Sequence, residues 1–155
     1  MGQIYSFYCK KCKYRVETSL GIGMMFSLVY KNIVEKSKNG ELGEEIQKFF
    51  IDNPNGVVDV ENVLGFCEEC GEYETIKDLT MYVPKTNYEE SAKDYVFYRD
   101  LKEHYKIFKE YRHKCKNCGS DLKIVLHEES DKHKRNIICP SCKKYMIKKF
   151  FGYWD

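Results

Sequence analysis

Apolar residues follow two different periods along this chain. From position 24 to about 35, Met25, Leu28, Val29 and Ile33 recur at helical spacing, and the pattern stops before Asn39-Gly40. A second short helix is expected over 42–52, burying Ile46, Phe49 and Phe50, because Asn53-Pro54 ends it and Asn55-Gly56 supplies a turn. The segment 57–66 leads on. Beyond it, Tyr73, Thr75, Leu79, Met81 and Val83 alternate well enough to predict one strand ending at Pro84, with Ile76 off register. Residues 93–113 read as a charged helix with Phe97, Leu101, Tyr105 and Phe108 along one face. Beside that face runs a basic stripe of Arg99, Lys102, Lys106 and Lys109. The last third reads as a strand with Leu122, Ile124 and Leu126 inward, a polar turn at 128–134, a strand through Ile137 and Ile138, and a final strand over 144–151.

Cysteine spacing changes this picture from a pattern of elements to a chemistry. All eight cysteines fall in pairs with two residues between them: Cys9 and Cys12, Cys67 and Cys70, Cys115 and Cys118, Cys139 and Cys142. A CxxC turn aims two sulfurs at one point, which suits two corners of a tetrahedral metal site with bonds near ~2.3 Å, and two turns complete it. A disulfide framework would go with a secreted chain and irregular spacing. Residues 1–13 hold no apolar signal core, and the longest apolar stretch, 21–29, is too short to span a bilayer. The expected setting is therefore a reducing cytoplasm, with no membrane partner. Thioredoxin-like redox chemistry needs one CxxC at a helix start, and four copies fit metal knuckles better.

Pairing the knuckles in sequence closes the fewest long loops. It places Cys9, Cys12, Cys67 and Cys70 on one metal and Cys115, Cys118, Cys139 and Cys142 on the other. Pairing across the halves stays open if the halves form one domain. The formal charge of +2 drops to about −2 once eight thiolates and two divalent ions are counted. Residues 1–92 hold 10 Lys/Arg against 15 Asp/Glu, and residues 93–155 hold 16 against 9, so an acidic partner is expected on the second half. There Lys143, Lys144, Lys148 and Lys149 are interleaved with Tyr145, Phe150, Phe151, Tyr153 and Trp154, a composition suited to gripping single-stranded nucleic acid. Ribbon-strand alternation would instead turn half of those aromatics into a small core, and charged helix residues usually just face water.

Cys115, Cys118 and Gly119 with Cys139, Pro140 and Cys142 resemble the zinc-ribbon superfamily, whose members pair a CxxCG knuckle with a CPxC knuckle across a β-hairpin. The resemblance covers about 114–151 closely and the first half loosely, since 54 residues separate Cys12 from Cys67. It implies a scaffold or binding role more often than a reaction. The expected fold is α+β, with two zinc-ribbon-like modules of short antiparallel strands. These are residues 1–84 with a helical insertion, a linker and amphipathic helix over 85–113, and a C-terminal ribbon over 114–155.

The expected cofactor is two Zn2+. A rubredoxin-like iron electron carrier is the competing reading, which a colourless preparation would exclude. His104, His113, His127 and His133 are scattered, and eight sulfurs already fill two sites. A site closed by four cysteines leaves no open position for zinc hydrolysis, and no catalytic motif or small-molecule site is evident. The functional expectation is a non-catalytic adaptor or regulator contacting nucleic acid or a nucleic-acid machine, or alternatively a protein–protein adaptor.

Overall fold

The residues ahead of the first CxxC turn open the architecture as a strand. The computed structural model describes residues 2–86, 96, 98–128 and 136–155. Its β1 (Gly2–Tyr8) pairs antiparallel with β2 (Arg15–Leu20), and the first CxxC turn joins them. Tyr5 and Phe7 on β1 and Val16 and Leu20 on β2 are buried, so the hairpin has one core face.

The two helices lie close to their expected positions, as α1 (Phe26–Lys38) and α2 (Glu44–Asp52). α2 buries Ile46, Phe49 and Phe50 as read from the pattern. α1 turns a different face inward: Phe26, Tyr30 and Ser37 are buried, whereas Met25 and Leu28 are more than half exposed. Aromatic rings bury more area than Met or Leu, and they set the helix rotation.

The next strands are β3 (Val57–Val58), β4 (Asn62–Cys67), β5 (Tyr73–Lys77) and β6 (Met81–Pro84). The single strand expected over 73–83 is thus two. Asp78 accepts a 3.0 Å bond from the Thr80 backbone N–H, and Leu79 sits at φ +61°, so the chain turns where Ile76 had already broken the alternation. The charged helix expected to reach 113 ends at His104 instead. α3 (Tyr98–His104) ends where β7 (Tyr105–Lys109) begins, and β7 pairs antiparallel with β6. Tyr105, Ile107 and Phe108 favour a strand once a partner strand is available. Phe97, His133, residues 93–95 of the expected helix and the 87–91 part of the expected boundary segment lie outside the described residues. So does most of the polar turn at 128–134.

β8 (Leu122–Leu126) buries Leu122 and Leu126 and half-buries Ile124, as expected. β9 (Ile147–Trp154) is displaced by three residues from the strand expected over 144–151, starting later and ending later. Three small antiparallel sheets result, in the orders β2-β1-β9, β5-β4-β8 and β3-β6-β7. Among the described residues no helix is long and apolar enough to cross a membrane.

These elements form two compact units, neither contiguous in sequence. One holds 1–24, 61–77 and 112–155, with all eight cysteines; the other holds 25–60 and 78–111. The division at 84 and 113 therefore cuts both units, and the expected linker helix belongs inside the second. In that second unit Val57, Val96, Leu101 and Tyr105 form a core, and the rings of Phe49 and Phe108 meet at 5.1 Å. In the cysteine-bearing unit one core joins Tyr5, Phe7, Val16, Leu20, Ile137 and Met146 to Leu64 and Leu126.

Candidate metal centres

All four CxxC turns share one backbone geometry. The N–H of the first cysteine donates to the carbonyl five residues on, and the N–H four residues on donates back to the first cysteine's carbonyl. The pairs are Cys9 with Tyr14 and Lys13, Cys67 with Glu72 and Gly71, Cys115 with Ser120 and Gly119, and Cys139 with Lys144 and Lys143, at 2.8–2.9 Å. The fourth-on residue is left-handed every time: Lys13 at φ 61°, Gly71 at 74°, Gly119 at 75° and Lys143 at 60°. Glycine suits that position, and two of the four turns hold a lysine there instead. Substituting Gly71→Ala should destabilise the fold by about 1–2 kcal/mol, since a non-glycine residue costs that in the left-handed region. A new Cβ would also stand 3.1 Å from Pro140 Cβ. Urea unfolding of the metal-loaded protein measures this, and Lys143→Gly should show no comparable loss.

The turns meet in nested order. Cys9, Cys12, Cys139 and Cys142 form one group and Cys67, Cys70, Cys115 and Cys118 the other, with the four sulfurs of each within 4.8 Å of one another. The expected sequential pairing is therefore wrong, and the first and last cysteine pairs of the chain share a site. Sγ–Sγ distances of 3.6 Å for Cys9–Cys142, 3.5 Å for Cys67–Cys118 and 3.6 Å for Cys70–Cys115 match the edge of a tetrahedron, roughly 3.8 Å for ~2.3 Å metal–sulfur bonds. They are far longer than the roughly 2.05 Å of a disulfide. Each group could hold a metal ion.

Loop closure failed to predict this because its cost grows only with the logarithm of length. Nesting places 126 residues between Cys12 and Cys139 instead of 54 between Cys12 and Cys67, which costs on the order of 1 kcal/mol. Strand pairing outweighs it. β9, after the last turn, pairs with β1 over seven residue pairs, and β8, after the third turn, pairs with β4.

Both sites follow one plan. A hairpin carries the first turn (β1–β2 or β4–β5), a second turn is closed by a bridge (Ile138 to Tyr145 or Lys114 to Asp121), and the strand after it adds to the hairpin's first strand. The repeat is not visible along the chain beyond the turns themselves, because one copy is threaded inside the other. Tyr73 Oη donates to the Ile138 carbonyl at 2.8 Å, and the Thr18 and Thr75 hydroxyls lie 2.8 Å apart, which ties the copies together.

In every turn the first cysteine is buried and the second is half-buried or exposed. Their thiols differ in acidity. Cys139 is lowered to about 6, first by the Cys142 backbone N–H, and Cys118 to about 6, first by the Ser120 hydroxyl. Cys12 is raised to about 12, chiefly by the Cys142 sulfur. For Cys67 the Cys70 N–H pulls downward, yet desolvation and the Cys118 and Cys70 sulfurs raise it to about 12. A metal ion taking the four sulfurs displaces the remaining protons, so acid works against its retention. His104, His113 and His127 are not part of either group.

The expected partner-binding residues scatter. Lys102 lies on α3 and Lys106 and Lys109 on β7, with Lys109 paired to Glu45, so the helical stripe does not exist. Arg99 belongs to α3, its side chain outside those described. Lys143 and Lys144 are exposed on the last turn, Lys149 is exposed on β9, and Lys148 is half-buried with its ammonium 4.3 Å from the Tyr5 ring centroid. Trp154 anchors the sheet: its Nε1–H donates to the Leu20 carbonyl at 3.0 Å, and its ring occupies the space a Gly2 side chain would need. Lys10, Lys11, Lys13 and Arg15 lie far from the basic second half in chain order, and nesting places them on the same site as Lys143 and Lys144. Comparison with protein-family models, with curated proteins and with solved structures finds no match for this chain.

Proposed function

We propose that this chain is a non-catalytic zinc protein in which two zinc-ribbon-type sites build a rigid scaffold for contact with nucleic acid or a nucleic-acid machine. The observation that carries the metal reading is the pair of closed four-sulfur groups. Zinc accepts four thiolates in tetrahedral array without redox change, and four sulfurs leave no position for a water or substrate. Eight cysteines free of disulfides belong in a reducing compartment such as the cytoplasm. The nucleic-acid reading rests on exposed lysines beside exposed Tyr145, Phe150, Phe151 and Tyr153.

Purified protein is expected to carry two zinc ions per chain and to be colourless. Elemental analysis checks this, and iron with visible absorption would replace the scaffold reading with an electron carrier. One ion per chain would overturn the two-site assignment.

A further inference from the structure

The nested pairing redistributes charge in a way the chain order conceals. Around the Cys9, Cys12, Cys139 and Cys142 site, residues 2–20 and 136–155 hold eight Lys/Arg (Lys10, Lys11, Lys13, Arg15, Lys143, Lys144, Lys148, Lys149) against Glu17 and Asp155. A zinc–tetrathiolate core contributes −2, which leaves about +4. Around the other site, residues 61–77 and 112–128 hold five Lys/Arg against seven Asp/Glu, and the same core brings them to about −4. Two copies of one plan thus carry opposite charge.

The aromatic residues divide the same way. Phe151 is half exposed, with the Arg15 guanidinium 5.8 Å and the Lys149 ammonium 5.0 Å from its ring centroid. Lys13 stands 5.9 Å from the Tyr8 ring centroid. Tyr145, beside the last turn, is 73% exposed. Arg15 also bonds Ser6 Oγ at 3.0 Å and Glu17 at 2.8 Å, which holds its guanidinium against the sheet. Cations at fixed positions beside exposed rings fit a ligand with regularly spaced negative charge and flat apolar faces between the charges.

From this we infer that the site joining the two chain ends is the contact surface, and that its ligand is single-stranded nucleic acid. Phosphates lie along Lys10, Lys11, Lys13, Lys143 and Lys144, and a base stacks on Phe151. This inference rests on the nucleic-acid reading above and deepens it. It moves the surface away from Lys102, Lys106 and Trp154.

The test uses the full-length zinc-loaded chain and fluorescein-labelled oligo-dT and oligo-U, read by anisotropy at about 50 and 200 mM salt. The triple substitution Lys10→Glu, Lys11→Glu, Lys144→Glu, all at exposed positions, should weaken binding at least about a hundredfold at the lower salt and reduce the log–log salt slope by about 2. The corresponding glutamine triple should give a smaller loss with a similar change of slope. Lys48→Glu, Lys102→Glu, Lys106→Glu, also exposed, makes the same charge change in the other unit and should cost less than about threefold. Phe151→Leu should cost about fivefold or more without changing the salt slope, and Phe151→Tyr should restore it. Zinc content of two per chain certifies each variant as folded. If the wild type binds and the second triple weakens it as much as the first, this inference fails while the nucleic-acid reading stands. A poly-glutamate peptide competing as well as oligo-U would overturn single-stranded specificity. No binding by the wild type removes both the surface and the nucleic-acid reading and leaves a protein adaptor.

Discussion

Replacing Cys139 with Ser should unfold the N-terminal strand pair together with the C-terminal strand, although more than a hundred residues of chain lie between them. Cys139 shares its site with Cys9 and Cys12, and β9 pairs along the whole of β1. A structural zinc site contributes on the order of 10 kcal/mol of folding free energy, comparable to the whole stability of an ordinary domain. Losing it leaves too little burial to order the unit. Hydrogen exchange followed by mass spectrometry should show residues 2–20 and 147–154 losing protection together, with metal content falling to one ion or fewer. Protection that persists over 2–20 while 114–155 opens would mean that the first two cysteine pairs share a metal after all.

Truncating Leu64 to Ala should cost about 2–5 kcal/mol, the range for deleting a fully buried leucine, and should loosen both metal sites. Leu64 lies on β4, three residues before Cys67, yet its side chain is fully buried in the core that contains Cys9 and Cys139. The cavity would open beneath both sheets. Denaturant unfolding should show the lower midpoint, and a chromophoric chelator should take both ions faster than from the wild type. Leu64→Met, which keeps the volume, should cost less than about 1.5 kcal/mol. If only the Cys67, Cys70, Cys115 and Cys118 ion were released faster, the core would not couple the sites.

The elements were legible where one local signal was enough. α2 ends at Asn53-Pro54 as read, and β8 alternates as read, because chain punctuation and side-chain period act within a few residues. Residues 105–109 are ambiguous in sequence because Tyr105 and Phe108 fit a helix face as readily as a strand, and pairing with β6 decides between them. The strand over 73–83 was broken by a turn whose determinant, the Asp78 carboxylate meeting the Thr80 N–H, is a contact rather than a period. β1 gave little alternation of its own and is a strand because it lies between β2 and β9.

Local chain geometry is enough to prepare eight cysteine sulfurs in four pairs able to take a metal, since two sulfurs separated by two residues converge on one point. The sequence also determines which turns suit a left-handed fourth position, in Gly71 and Gly119. Which pairs share a metal is a different kind of question. Every CxxC turn is equally able to complete any other, and loop closure discriminates between the pairings by only on the order of 1 kcal/mol. The choice is made by strand pairing, β9 on β1 and β8 on β4, because backbone hydrogen bonds and a shared apolar core select among cysteine sets that are chemically equivalent.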